Sequence, residues 1–105
     1  MPEVMIQLHE PQKGAFILLE NKEKQGEMEF EISPGNIDGT NRMPRLIIHH
    51  TEVNPVNEGK GYAKLMFQKM IAYARENNLN VVPLCPYVLA QLKRNTENFK
   101  DIWVA

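Results

Sequence analysis

RLIIHHTEVNPVNEGKGYAKLMFQKMIAYARENNLNVVPLC, residues 45–85, decides the fold. It opens on a strand-like run, residues 45–53, whose centre Leu46-Ile47-Ile48 is apolar at consecutive positions. A strand presenting apolar side chains in both directions is expected at the centre of a sheet covered on both faces. Asn54-Pro55 ends it. Residues 62–77 then place Leu65, Met66, Met70, Tyr73 and Ala74 at helical spacing, with Phe67 and Ile71 widening the stripe. Lys64, Gln68, Arg75 and Glu76 lie toward the other side, and Asn77-Asn78 closes the helix. Residues 79–85 read as a further strand, stopped by Pro86. Strand, helix and strand make a βαβ unit, predicted to cross over right-handed with parallel strands.

Upstream of this unit the period changes to two. Met28, Phe30 and Ile32 alternate with Glu27, Glu29 and Glu31 across residues 27–33. Residues 15–20 are a β-type run, and the polar stretch 21–26 between them is turn-like, so the two runs read as a hairpin with one solvated face. Val4, Ile6 and Leu8 give a shorter alternation, punctuated by Pro11 and Gly14. Residues 34–44, rich in Pro, Gly, Asn and Asp, form the longest loop and the segment expected to be mobile. Downstream, residues 86–95 read as a second helix. Pro86 suits its first position and Lys93 and Arg94 suit its negative end. The apolar tail 99–104 is expected to dock. The predicted fold is α+β or α/β: antiparallel N-terminal strands, then the βαβ unit, in one mixed sheet with two helices, as a single domain over residues 1–105.

Composition narrows the function. The 105 residues are 43% hydrophobic and 24% charged, an ordinary globular balance. A domain of this size buries roughly 65% of its unfolded surface. Twelve Lys and Arg against thirteen Asp and Glu give a net charge of −1, and the basic residues are scattered, which argues against a nucleic-acid partner. The lone Cys85 excludes an internal disulfide framework. Residues 1–10 lack the features of a signal peptide, and the longest apolar run, residues 15–19, is far short of the ~20 residues of a membrane helix. A cytoplasmic protein with no membrane partner is expected.

Chemistry concentrates in Glu58-Gly59-Lys60-Gly61-Tyr62-Ala63, between the buried strand and the long helix. Two glycines permit positive φ and a close backbone approach to a ligand. The helix start offers unpaired N–H groups and the positive end of a dipole, a combination that cradles phosphate or pyrophosphate. Lys60 adds a point charge. A Walker loop is absent, and Lys64 occupies the last glycine position of a dinucleotide fingerprint. A tight turn that uses glycine for geometry alone is the plainer reading of these six residues.

The segment resembles the pyrophosphate loop Q/R-x-x-G-x-G/A of the Gcn5-related N-acetyltransferases. Glu58, Gly61 and Ala63 fall on its first, fourth and sixth positions, Glu58 standing where the family has Gln or Arg. The series His50-Thr51-Glu52-Val53, then the loop and long helix, then Leu84-Cys85-Pro86-Tyr87, is similar to the smallest single-domain branch of that family. The resemblance covers roughly residues 16–104 and lacks the acceptor-binding helices of larger relatives. It implies acetyl-CoA as co-substrate, with the backbone of Gly59, Lys60, Gly61, Tyr62 and Ala63 on the pyrophosphate. It also implies Val53 and its neighbours paired by main chain with the pantetheine arm, an N–H there facing the thioester carbonyl.

Three side chains are candidates for catalysis. Cys85 precedes Pro86 at a helix start, beside the thioester in the implied geometry; it is either an acyl-accepting nucleophile or a small buried residue closing a turn. His50 shares a strand face with Glu52 and is placed to take a proton from an amine, or is a hydrogen-bonded structural histidine. Tyr87 protonates the leaving thiolate, or is a packed aromatic. His49 and His50, adjacent on a strand, are expected to point to opposite faces, and with no HExxH or cysteine pair a metal site is not expected. The implied reaction is acetyl transfer to a small-molecule or protein amine, made directly and without an acetyl-cysteine. The alternative is a non-catalytic CoA-binding module that acts as a sensor or with a partner.

Overall fold

A computed structural model describes residues 2–35 and 43–103. Five strands form one sheet in the order of the chain, β1 (Glu3–Glu10), β2 (Lys13–Glu20), β3 (Glu23–Ser33), β4 (Arg45–Val53) and β5 (Asn80–Pro83). The first four pair antiparallel and β5 pairs parallel to β4. Helix α1 (Tyr62–Glu76) joins β4 to β5, and α2 (Pro86–Arg94) follows β5. The mixed sheet with two helices agrees with the fold read from the sequence. No helix in the described residues is long and apolar enough to cross a membrane.

Registers show why the pattern folds this way. Phe16 lies opposite Met28 and Ile6, and Phe30 opposite Gly14 and Ile48, so one sheet face collects the large apolar residues. Phe16, Leu18, Met28, Leu46 and Ile48 are fully buried there. Met66, Met70 and Ala74 of α1 and Val88 and Leu92 of α2 belong to the same core cluster. Tyr73 of α1 sets its ring edge-on to Phe16, centroids 5.7 Å apart. On the other face Glu27, Glu29 and Glu31 stand opposite Ile17, Ala15 and Lys13.

Several boundaries differ from the sequence reading. The Val4–Ile6–Leu8 alternation is a full eight-residue strand rather than a fragment. The β2–β3 turn is only Asn21 and Lys22, both at positive φ, as a two-residue hairpin turn requires, and β3 starts at Glu23. Strand β4 is not covered on both faces. Ile47 points to the open face and is half-buried by its strand neighbours Glu31 and Val82. Beyond α2, a 3₁₀ turn (Thr96–Phe99) leads into the docked tail. Ile102 and Trp103 are buried, and the Ile102 carbonyl accepts from the Val81 N–H at 2.7 Å. Residues 36–42 of the predicted loop, and Val104 of the tail, lie outside the described residues.

Candidate functional site

Strands β4 and β5 pair only from Arg45–Asn80 to Ile48–Pro83. The Ile48 carbonyl then accepts from two amides, Leu84 N–H at 3.1 Å and Cys85 N–H at 3.0 Å. Beyond that point the chain turns into α2 while β4 continues to Val53, so the sheet forks and leaves one edge of residues 49–53 unpaired by β5.

A bulge coincides with the fork. Glu29 lies opposite His50 and Phe30 opposite Ile48, so His49 is the extra residue on β4. His49 Nε2 lies 3.1 Å from Glu31 Oε1, and His50 Nε2 lies 3.5 Å from Glu52 Oε2. Glu31 and Glu52 both belong to the open face, by their registers with Ile47 and Glu27. The expectation of opposite faces for the two histidines is therefore wrong: strict alternation fails where the bulge inserts a residue. Among the described residues no group of three or more His, Cys, Asp or Glu is placed to hold a metal ion.

The end of β4 passes into the loop through a capped 3₁₀ turn, Pro55–Asn57. Asn54 Oδ1 accepts from the Val56 N–H at 3.3 Å, and the Asn54 N–H donates to the Gln25 carbonyl at 2.8 Å. Asn57 is buried at 4% exposure, though it sits in a polar loop. Its Nδ2 donates to Gln25 Oε1 at 2.6 Å, which also accepts from Asn54 at 3.2 Å. Asn57 Oδ1 accepts from Lys60 Nζ at 3.0 Å. Thus β3, through Gln25, fixes the shape of the loop. Neither Asn57 nor Gln25 was singled out in the sequence, because burial of a loop asparagine carries no local signal.

Gly59 and Gly61 adopt φ of 87° and 78°, in the left-handed region. A Cβ built on either would meet no atom within 4 Å, so both backbones border open space. Gly61 caps α1, and its carbonyl accepts the first helical bond from the Leu65 N–H at 3.1 Å. The Lys60 N–H is spent on the Asn57 carbonyl at 3.1 Å. Among the described residues the amides of Gly59, Gly61, Tyr62 and Ala63 make no backbone bond, as expected of a helix start.

One groove of about 440 Å³ gathers most of the predicted residues: Val53, Glu58, Gly59, Gly61, Tyr62, Ala63 and Tyr87, together with Asn57 and Lys64. Lys60 is not in its lining; its ammonium rests 5.8 Å above the Tyr62 ring. The Glu20 carboxylate, by hydrogen bonding to the Tyr62 phenol, raises that phenol's pKa above its ordinary value. Tyr87 is half-buried, and burial raises its phenol likewise; Cys85 adds in the same direction and Arg94 opposes. Cys85 is buried in the core cluster with Sγ donating to Thr51 Oγ1 at 3.3 Å, outside the groove lining. His50 stands on the open face, also outside that lining.

The donor set fits an elongated phosphate-bearing cofactor: free amides at a helix start, open space above two glycines, and a strand edge leading away from them. Known proteins agree on the architecture. A ribosomal-protein-alanine N-acetyltransferase from Brucella melitensis biovar Abortus 2308 superposes with a TM-score of 0.64 at 20% identity, over 91% of this chain and 64% of that one. An aminoglycoside antibiotic 6′-N-acetyltransferase from Acinetobacter haemolyticus gives 0.54 at 13% identity, over 83% and 62%. The chain thus spans less than two thirds of either structure's length. No curated protein sequence matches it. A family model described as GCN5-related N-acetyl-transferase matches residues 15–102. That match runs from β2 to the docked tail, through the fork, the loop and both helices, and on it the chain belongs to the GCN5-related N-acetyltransferase family.

Proposed function

We propose that residues 1–105 form one N-acetyltransferase domain that binds acetyl-CoA through the loop groove and transfers its acetyl group to an amine. The observation that carries this reading is the groove itself, where unpaired amides at the start of α1 adjoin the unpaired edge of β4 at Val53. The amides of Gly59, Gly61, Tyr62 and Ala63 receive the pyrophosphate, and Lys64 offsets the adverse charge of Glu58. The pantetheine arm pairs along β4, and an amide of that edge faces the thioester oxygen, where negative charge develops.

The neutral amine attacks the thioester carbonyl carbon, a C–N bond forms, the C–S bond breaks, and CoA leaves as thiolate. The amine proton passes to His50, which Glu52 orients from the open face, directly or through water. Tyr87, whose phenol carries its proton at neutral pH, gives that proton to the thiolate. Most of the rate enhancement comes from positioning and the oxyanion donor.

Calorimetry with CoA, paired with CoASH release from acetyl-CoA in the presence of an amine panel, tests this. Wild type binds and turns over. Gly61→Val puts a branched side chain into the groove, at a left-handed position costing about 1–2 kcal/mol, and loses CoA binding while its circular dichroism spectrum is retained. Unchanged CoA affinity in that variant overturns the reading. A non-catalytic CoA module is the second reading, favoured by the places of Cys85 and His50 outside the groove lining. CoA binding without turnover of any amine would establish it.

A further inference from the structure

The two edges of the sheet are built differently. The β5 edge is only four residues long, ends in Pro83, and is covered by the docked tail through the bond from the Val81 N–H to the Ile102 carbonyl. Shortness, proline and cover each protect an edge from further pairing. The β1 edge is eight residues long, and among the described residues no backbone group pairs with its outer side. Residues 4–9, Val-Met-Ile-Gln-Leu-His, contain no Pro, Lys, Arg, Asp or Glu to guard it. Met5 and Leu8 are 46% and 56% exposed. Gly14 reveals which way the backbone groups of β1 point. A Cβ built on it would collide with the Gln7 carbonyl oxygen, so that carbonyl turns toward β2. Antiparallel alternation then turns the N–H and C=O groups of Val4, Ile6 and Leu8 outward, and the register with β2 is regular from Glu3 to Leu8. Val4 lies opposite Leu18 and Ile6 opposite Phe16, so the same residues carry side chains of the helix-covered face.

We propose that β1 pairs antiparallel with β1 of a second copy of this chain, about a two-fold axis at Ile6. With Ile6 opposite its own mate, Val4 falls opposite Leu8 of the second copy, and every outward N–H and C=O of these residues finds a partner. The apolar row on the helix-covered face then runs on across the axis, and Val4 of one copy covers the exposed Leu8 of the other. On the open face Met5 meets Gln7 of the second copy, and the Glu3 carboxylate meets the imidazole of its His9. No like charges oppose each other. Sliding the register by two residues spoils the fit either way. One slide sets Glu10 against Val4, and the other sets Pro2, which has no N–H, against Leu8. This match of the edge to itself identifies the occupant as a second copy. The loop groove lies toward the far end of the sheet, so it stays open in both copies.

Sedimentation equilibrium of the 105-residue protein tests the pairing. An edge-to-edge interface is small, so a Kd on the order of 10 µM is expected, and at about 300 µM wild type should sediment mainly as a dimer. Ile6→Pro deletes the N–H at the axis, which faces away from β2, so β1 keeps its ladder to β2. That variant is expected to sediment as a monomer at the same concentration, with its circular dichroism spectrum retained. An equimolar mixture of Met5→Cys and Gln7→Cys proteins reads the register, since both positions are exposed and the native Cys85 is buried. Mild oxidation is expected to link the two variants to each other faster than either to itself. Wild type that stays monomeric at about 300 µM overturns the proposal, whatever foreign strand the edge then accepts. So does a folded Ile6→Pro protein that dimerises as tightly as wild type, or a dimer in which mixed disulfides gain no advantage. If Ile6→Pro does not fold, the disulfide pattern decides alone.

Discussion

Cys85 is built into the core and not into the lining of the loop groove. The residue is 3% exposed, and its thiol donates to the Thr51 hydroxyl within the core. A group so placed ties the start of α2 to β4, and moving acetyl onto it would replace one thioester by another for little driving force. Direct transfer predicts that Cys85→Ala keeps CoA affinity and stays within about tenfold of wild-type turnover, since positioning and the backbone donor remain. Initial rates varied in both substrates should give intersecting lines. Parallel lines, an acetyl-cysteine trapped in wild type and a loss of several orders of magnitude in the variant would establish the covalent route. Most of the groove residues were legible in the sequence because glycines before an amphipathic helix carry a backbone signal. Asn57 was not, because its burial is decided by Gln25, 32 residues away on β3.

At the scale of elements, the docked tail shows how α1 holds the C-terminal segment. Arg75 Nε donates to Asp101 Oδ2 at 2.9 Å and Nη2 to the Asn98 carbonyl at 2.6 Å. The Arg75 guanidinium, through its hydrogen bond, holds the Asp101 carboxyl below the usual carboxylate range. A carboxyl whose folded pKa is depressed stabilises the fold above its unfolded pKa of about 3.9, and that contribution is lost as pH falls through the folded value. Both groups are half-exposed, which limits the pair to about 1 kcal/mol or less. Arg75→Ala should therefore lower Tm by a few degrees at pH 7, with the gap to wild type closing as pH drops below the carboxylate range. An NMR titration should show the Asp101 carboxyl moving up toward its ordinary value in the variant; an unmoved titration overturns the pairing. Helix periods and the β4 boundaries were readable from the chain, but the bulge at His49 was not. A bulge is a mismatch between two strands, and neither strand's own alternation reveals it.

For the whole molecule, the consequence of helices on one sheet face is unequal tolerance. Phe16 is fully buried under Tyr73 and beside Phe30, whereas Met5, on the open face opposite Ile17, is 46% exposed. Phe16→Ala should cost about 3–5 kcal/mol, a large share of a domain's usual margin, and Met5→Ala less than about 1 kcal/mol. Urea unfolding at constant m measures both, and similar costs would contradict the one-sided layering. The sequence suggested two covered faces because Leu46-Ile47-Ile48 is apolar throughout. A side chain flanked across the sheet, as Ile47 is by Glu31 and Val82, is half-hidden without any helix above it.

The junction at Ile48 has a last implication. Two amides converge on one carbonyl there, so the wedge between β4 and the start of α2 closes on main chain. The Cys85 thiol and the Thr51 hydroxyl meet across the same wedge, nearer its open end. The narrow end is thus shut twice, by peptide groups and by a side-chain pair, and only the second of these yields to substitution.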